Sequence, residues 1–216
     1  MPMQDGRKRG IIENVQPQVD NGRFPIKRVV GEKVVVQAAI FADGHDLLSC
    51  RLLHKKEGES TWREVVMQPL VNDCWQGSFR VTDLGMHYYT LLAWVDAFKT
   101  WRHDLQIRKE AKQDLVVPLF IGADLVEEAS ARASEVDAPR LKDLAMRLRA
   151  EKDQEKASEM ALDEELRLLM DRCPPDESLV TSYENELPIT VDRERARFSS
   201  WYELFPRSYG SQGKHG

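Results

Sequence analysis

Val34-Val35-Val36-Gln37-Ala38-Ala39-Ile40-Phe41 is the stretch that decides the fold class of this chain. Apolar side chains fill every position but Gln37, and β-branched residues open the stretch. Such residues favour strands, and the apolar run is too short for a secure helix. The stretch therefore predicts a β-strand, and the segments around it are interpreted from there.

Turn signals separate further extended segments on both sides of this strand. The segments are Ile11–Val15, Arg23–Val29, Leu47–Lys55, Trp62–Met67, Cys74–Val81 and Met86–Asp96. Six or seven short strands with a turn every ten or so residues indicate an immunoglobulin-like antiparallel β-sandwich. The run Leu84-Gly85-x-x-Tyr88-Tyr89 is similar to the tyrosine corner of such sandwiches.

The composition changes after the last of these strands. Residues 108–173 carry 12 basic and 16 acidic side chains and a single aromatic residue, Phe120. Apolar residues there recur at helical spacing, which predicts helices at roughly 99–118, 121–135, 138–152 and 154–172. Their charged faces are either solvated or an assembly surface, and Cys173-Pro174-Pro175 ends the run.

Strand character returns at Leu187-Pro188-Ile189-Thr190-Val191-Asp192. A strand so late in the chain predicts that a helical bundle is inserted between the last two strands of the sandwich. We therefore expect a mostly β plus α protein with four parts. They are a flexible tail (1–10), the sandwich (11–98 and 178–198), the inserted helical bundle (99–177) and a closing segment (199–216).

Charge and cysteine usage exclude several classes of protein. The formal net charge is −5, which argues against a general nucleic-acid binder. No apolar run approaches the 18 or more residues of a membrane span, and residues 1–10 are polar and basic, unlike a secretory signal. Three widely spaced cysteines form neither a disulfide framework nor a zinc pattern, so we expect a cytoplasmic protein.

Asp43-Gly44-His45-Asp46 is the cluster that most resembles a functional site. Two carboxylates and a histidine could hold a metal or carry out acid–base chemistry. The alternative, which we favour, is a polar loop in which Gly44 supplies a positive φ and the aspartates cap backbone N–H groups. The remaining histidines show no metal-ligand spacing, and no catalytic motif is present. We therefore assign no catalytic, cofactor-binding or metal-binding residue.

Four tryptophans allow two interpretations. Trp62, Trp75, Trp94 and Trp101 could form a platform on which sugar rings stack, or they could belong to the core or an interface. We favour the core or an interface, because tryptophan is highly buried on average.

The closing stretch, 195–208, places Phe198, Trp201, Tyr202, Leu204 and Phe205 within eight positions. Leaving so much apolar area in water is costly, at about 25 cal/mol per Å². The stretch is either a closing strand or, as we favour, the end of a strand at Arg195–Phe198 followed by the opening of a second domain.

Several of these stretches together resemble the amino-terminal part of the α-1,4-glucan:maltose-1-phosphate maltosyltransferases, enzymes of the α-amylase superfamily (glycoside hydrolase family thirteen). The resemblance runs over residues 11–210. Cys74 is a minor departure from the expected pattern, and the length of the chain is the larger one. The stretches that carry it are Gly22–Arg28, Gly31-Glu32, Phe41–Asp46, Asn72–Trp75, Tyr88–Thr90, Ala93–Asp96 and, most specifically, Asp192–Ser208.

The resemblance implies a dimeric cytoplasmic enzyme that transfers maltosyl units from α-maltose 1-phosphate to α-1,4-glucans during glycogen synthesis. It also implies an amino-terminal sandwich with a helical insertion, and both would contribute to a homodimer interface. The catalytic Asp and Glu would lie on a later (β/α)₈ barrel, of which Trp201–Phe205 resembles only the first strand. We therefore expect residues 199–216 to begin a catalytic domain whose motifs are missing here.

The sequence leads to two hypotheses about function. The first is a non-catalytic scaffold and dimerisation region, inactive alone, with no cofactor. The second is a free-standing α-glucan-binding module that uses exposed tryptophans.

Overall fold

Residues 6–198 and Glu203 are described by the computed structural model of the chain. They form a mixed α/β fold with two β-sheets and five α-helices. The strands are β1 Ile11–Gln16, β2 Ile26–Val29, β3 Lys33–Phe41, β4 Leu48–Lys56, β5 Arg63–Val66, β6 Gln68–Pro69, β7 Cys74–Arg80, β8 Gly85–Val95, β9 Thr181–Ser182 and β10 Leu187–Asp192. The helices are α1 Ala97–Glu110, α2 Val116–Ser130, α3 Asp137–Ala150, α4 Gln154–Ala161 and α5 Glu164–Arg172.

The strand predicted from Val34–Phe41 becomes β3, in the interior of the first sheet. That sheet has the order β1-β3-β7-β6, and all of its pairs are antiparallel. The second sheet has the order β2-β10-β8-β4-β5, with β9 beside β8. Its pairs are antiparallel except for β2 and β10, which run parallel with Ile26 opposite Ile189. Because β2 and β10 are far apart in the sequence, the short turn motifs that predict hairpins could not have predicted this pair.

One apolar core lies between the two sheets. Alternate residues of β3 face it, from Val34 through Val36 and Ala38 to Ile40. The second sheet contributes a matching row that includes Leu52 and Leu91. Because side chains alternate between the two faces of a strand, this period-two pattern buries one face of each sheet.

The helices enclose a second apolar core. Its buried residues come from all five helices and share no member with the core between the sheets. At its centre, Trp101 of α1 packs over Gly122 of α2. Arginines also link neighbouring helices: Arg149 pairs with Asp124 and Glu127, and Arg172 with Asp137 at 2.8 Å.

The five helices follow β8 in the chain and precede β9 and β10. After them, β10 returns to the second sheet and pairs with β8, with Leu187 opposite Tyr89. Within residues 6–198 no helix is both long and apolar enough to span a membrane.

Two of the predicted helix boundaries were wrong. Pro118 was expected near the end of the first helix, but it lies in the first turn of α2. Proline is tolerated there because a first-turn N–H has no partner within the helix. The helix predicted over 154–172 is divided in two at Asp163, whose carboxylate accepts a hydrogen bond from the N–H of Glu165 and caps α5.

Two expectations about loops and ends also need correction, and a third concerns residues outside the described part of the chain. Arg195–Phe198 does not finish a strand: β10 ends at Asp192, and Glu194–Arg197 form a 3₁₀ helix in which Arg197 pairs with Glu32. Tyr89 is no tyrosine corner, because its hydroxyl donates to the carbonyl of Pro17, far back in the chain, rather than to a nearby residue. The expected barrel strand, Trp201–Phe205, falls within 199–216, which lies outside the described residues apart from Glu203.

Candidate interaction surface on the helical unit

Helix α2 is apolar on both sides. Leu119, Gly122, Ala123 and Val126 face the helical core, where they are buried. The opposite side of the first half of the helix is also apolar, yet it is exposed, and Val117 is 64% accessible. A helix that is hydrophobic all round is normally covered on all sides. We call this exposed set the α2 ridge, and its members are Val116, Val117, Phe120 and Ile121.

A depression lies on each side of the α2 ridge. The larger one, of about 650 Å³, lies between α1 and α2, and Trp101, Leu105 and Ile121 line it. The smaller one, of about 340 Å³, is bounded by Phe120 and by the end of α3 at Leu148. A ridge between two depressions is a shape into which another apolar surface can fit.

Charged side chains also line the larger depression. They carry both signs and are Arg9, Asp46, Asp104, Arg108 and Asp114. Protein interfaces commonly combine apolar and charged side chains. The arrangement is suited to binding another protein surface, since charges of both signs lie beside apolar side chains.

The loop Asp43-Gly44-His45-Asp46 is held by Arg9. The Arg9 Nε donates to Asp43 Oδ1 at 2.9 Å, and its Nη1 donates to Asp46 Oδ2 at 2.7 Å. The third nitrogen, Nη2, donates to the carbonyl of Asp43 at 2.7 Å, and Gly44 has a φ of +86°. The positive φ of Gly44 was anticipated from the sequence, but the aspartates bind Arg9 instead of capping backbone N–H groups.

This arrangement sets the electrostatics of the loop. Hydrogen bonding to Arg9 lowers the pKa of Asp43, and the two aspartates in turn raise the pKa of Arg9. Both carboxylates are thus bound to one guanidinium, which competes with any cation for their oxygens. Residues 6–198 and Glu203 contain no group of three or more His, Cys, Asp or Glu side chains that could hold a metal.

Arg9 is fixed in position, although it lies in the flexible tail that we expected over residues 1–10. Its three hydrogen bonds fix it to the loop, and the next residue, Gly10, is buried against Ala93. A lone arginine in a basic stretch gives no signal of such a role, because its two partners lie 34 and 37 residues away.

The tryptophans are used mainly in packing. Trp94 and Trp101 are each 8% exposed, and Trp101 donates from Nε1 to the carbonyl of Pro118 at 2.7 Å. Trp75 donates to the carbonyl of Ile40 at 3.0 Å. Trp62 is partly exposed, but the ammonium of Lys55 lies 4.1 Å from the centre of its ring. The structure therefore does not bring these four side chains together as an open platform.

Within the described residues, the histidines and cysteines form no cluster that could hold a metal. His54 stacks on Phe79, and His87 is buried with its Nε2 at 2.9 Å from the carbonyl of Asp83. All three cysteines are free, and burial raises the pKa of the Cys50 thiol to about 12. A thiol with so high a pKa is unreactive near neutral pH.

The α2 ridge was missed in the sequence. Its signal was available, since the segment Val116–Val126 contains one charged residue, Asp124, in eleven positions. Such a segment has apolar residues on every side of a helix. A break predicted between residues 118 and 121 divided it between two helices and hid the pattern.

Comparison with known proteins identifies the family. The family described as alpha-1,4-glucan:maltose-1-phosphate maltosyltransferase, domain N/S, matches residues 8–193. The chain therefore belongs to this family, as the resemblance in its sequence implied.

Curated relatives carry the same name. Alpha-1,4-glucan:maltose-1-phosphate maltosyltransferases of Chlorobaculum tepidum and Methylacidiphilum infernorum are similar to this chain at 43% and 40% identity, and each match covers 98% of the chain. A third relative with this name, from Myxococcus xanthus, is 40% identical over 94% of the chain. The chain spans about a third of the length of these relatives, namely 32%, 32% and 31%.

Proposed function

We propose that this chain is the non-catalytic amino-terminal scaffold and dimerisation region of a maltosyltransferase. The full-length enzyme would transfer maltosyl units from α-maltose 1-phosphate to α-1,4-glucans in glycogen synthesis, as a cytoplasmic homodimer. Membership of the family over residues 8–193 and the names of the relatives support the enzyme class. Three free cysteines are consistent with a reducing compartment.

The α2 ridge is the observation that carries the dimerisation role. Phe120 and Ile121 are each about half exposed beside Val117, on a helix whose other side is already buried. Contiguous apolar area of this kind on a soluble protein marks an interaction site. A two-fold axis would place the ridge of one protomer against the same surface of its partner, because such interfaces are self-complementary.

The division into domains belongs to the same proposal. We take 11–98 and 178–198 as an immunoglobulin-like β-sandwich, and 99–177 as a helical bundle inserted into it. Two sheets around a single core, the separate helical core and the return of β10 to β8 all support this division. The residues from 199 onward would lead into the catalytic domain of the full-length enzyme.

Sedimentation equilibrium tests the role of the α2 ridge in dimerisation. We expect the wild-type chain to self-associate and Phe120→Asp to weaken the dimer by about 100-fold in Kd, because a buried charge at an interface centre is left without a partner. Met146→Asp is the matched control, since Met146 is also an exposed apolar residue, on α3. A monomeric wild-type chain, or a Phe120→Asp dimer as tight as the wild type, would overturn the proposal.

The non-catalytic role has a direct test. Incubation of the chain with maltose 1-phosphate and maltohexaose should release no phosphate and extend no glucan. Catalytic turnover that persists in highly purified protein would contradict the scaffold role.

Titration of the chain with maltooligosaccharides, followed by tryptophan fluorescence, tests the glucan-binding alternative. We expect no saturable quenching, because Trp94 and Trp101 are buried and Lys55 covers the ring of Trp62. Saturable quenching in the millimolar range or below would favour the binding module over the scaffold.

A further inference from the structure

The helical unit and the sheet unit have separate apolar cores and meet at a joint that is partly polar. The two cores share no residue, whereas the joint includes apolar side chains of both units, such as Trp94 of β8 and Phe98 of α1, beside its polar groups. Units of one chain with separate cores resemble domains, between which relative motion is common.

Asp96 lies at the centre of this joint, between the end of β8 and the start of α1. Its Oδ1 accepts from the N–H of Lys99 at 2.9 Å and caps the helix, while its Oδ2 accepts from the hydroxyl of Ser49 at 2.6 Å. The Lys99 ammonium donates to the same hydroxyl at 2.7 Å. Ser49 is 2% exposed, so its hydroxyl depends on these two partners.

The other end of the helical unit is fixed to the same strand. Arg51, two residues after Ser49 on β4, donates from Nη2 to the carbonyl of Asp171 in α5 at 2.9 Å. The Asp171 carboxylate lies 3.9 Å from the Lys99 ammonium. Strand β4 therefore holds the first helix through Ser49 and the last helix through Arg51.

Three depressions surround the joint. The first, of about 140 Å³, lies between Trp94 and Pro174, and the second, of about 350 Å³, between Leu47 and Arg167. The third is the depression of about 650 Å³ beside α2, which reaches Val95. These depressions indicate that the side chains of the two units fill the joint only in part.

We propose that Ser49, Asp96 and Lys99 form a latch that fixes the angle of the helical unit, and that the unit turns as a body when the latch is opened. The connections at Asp96 and at Cys173-Pro174-Pro175 serve as the hinge. A few residues at the ends of elements are typical of hinges between rigid bodies. The helical unit turns within one protomer, and this motion does not depend on dimerisation.

The distance between two spin labels, one on each unit, reports the angle between the helical unit and the sheet unit. Met146→Cys on α3 and Val35→Cys on β3 provide exposed attachment points on the two units. Cys74 and Cys173 are replaced by serine, whereas the buried Cys50 can stay because its thiol does not react. Dilution with unlabelled protein removes signals between protomers.

We expect a narrow distance distribution in the parent protein. Lys99→Met should broaden it and add a population shifted by several ångströms, while the far-ultraviolet circular dichroism remains that of the parent. Lys142→Met is the matched control, because Lys142 is exposed on α3, away from the joint, and it should leave the distribution narrow.

Ser49→Ala is a second variant that opens the latch, for use if Lys99→Met does not fold. It removes the hydroxyl that Lys99 and Asp96 share and leaves both charges in place. Narrow distributions in every folded latch variant, or equal broadening in Lys142→Met, would overturn the proposal.

Discussion

The close approach of Trp101 to Gly122 decides how tightly α1 and α2 pack. A Cβ atom added at Gly122 would lie 1.9 Å from Cζ2 of Trp101, well inside any tolerated contact. The indole cannot easily retreat, since it is 8% exposed and hydrogen-bonded to Pro118. Glycine is required here for space and not for its backbone conformation, because the φ of Gly122 is not in the left-handed region.

Gly122→Ala should therefore destabilise the helical unit. We expect a loss of about 2–3 kcal/mol in the free energy of unfolding, typical of overpacking in a well-filled core. Urea denaturation followed by circular dichroism at 222 nm measures it. Gly6→Ala is the control, because nothing lies within 4 Å of a Cβ at that position. Equal stability of the two variants would show that Trp101 can move aside.

His54 should make stability depend on pH. Its ring stacks on Phe79 with centroids 4.1 Å apart. Burial first, and then the charges of Arg63 and His87, lower its pKa below the ordinary value of 6.5, against a smaller opposing effect of Glu59. The unfolded chain therefore binds a proton at His54 more readily than the folded chain, so this contribution to stability is lost as the pH falls below about 6.5.

His54→Phe tests this pH dependence, because it keeps an aromatic ring against Phe79 but cannot take up a proton. Denaturation midpoints at pH 7.5 and 5.5 should differ less in His54→Phe than in the wild type. His103→Phe, at an exposed position of α1, should retain the difference of the wild type. If His54→Phe keeps the full difference, other groups are responsible for it.

At the scale of elements, the sequence was most informative where apolar residues form a clear run or spacing. The nearly continuous apolar run from Val34 to Phe41 marks β3, and the helical spacing of Leu141, Ala145 and Leu148 marks α3. The pairing of β2 with β10 and the hold of Arg9 on Asp43 could not be predicted, because they join positions distant in the chain. The α2 ridge was predictable in principle from its composition, and Pro118 concealed it.

The separation of α4 from α5 depends on one cap. Asp163 Oδ1 accepts from the N–H of Glu165 at 2.7 Å, after α4 has ended at Ala161. Asp163→Ala should cost about 1 kcal/mol of stability, whereas Asp163→Asn should retain most of it, because asparagine is an equally good cap. Thermal unfolding of the two variants gives the comparison, and equal losses would indicate that the charge of Asp163 matters instead of the cap.

At the scale of the whole molecule, two cores share one chain. The segment between β8 and β9 closes its own core, so the sheets need not be complete for the helices to pack. Composition indicated this division in part, since the charge-rich and nearly aromatic-free run, 108–173, covers the end of α1 and all of the later helices. The contacts between the two units could not be predicted from the sequence. They depend on polar residues that are far apart in the chain and that only the fold brings together, namely Ser49, Asp96 and Asp171.

Two cores that share no residue should unfold in two steps. Contiguous units of a protein can open with different free energies. We expect urea to melt the helical and sheet units at separate midpoints, with amide hydrogen exchange resolving β3 from α2. Gly122→Ala should shift only the helical step. Val36→Ala, which removes two methyl groups from a fully buried side chain of β3, should shift only the sheet step by about 2 kcal/mol. A single transition that both substitutions displace equally would mean that the latch at Asp96 couples the two cores as strongly as shared apolar packing would.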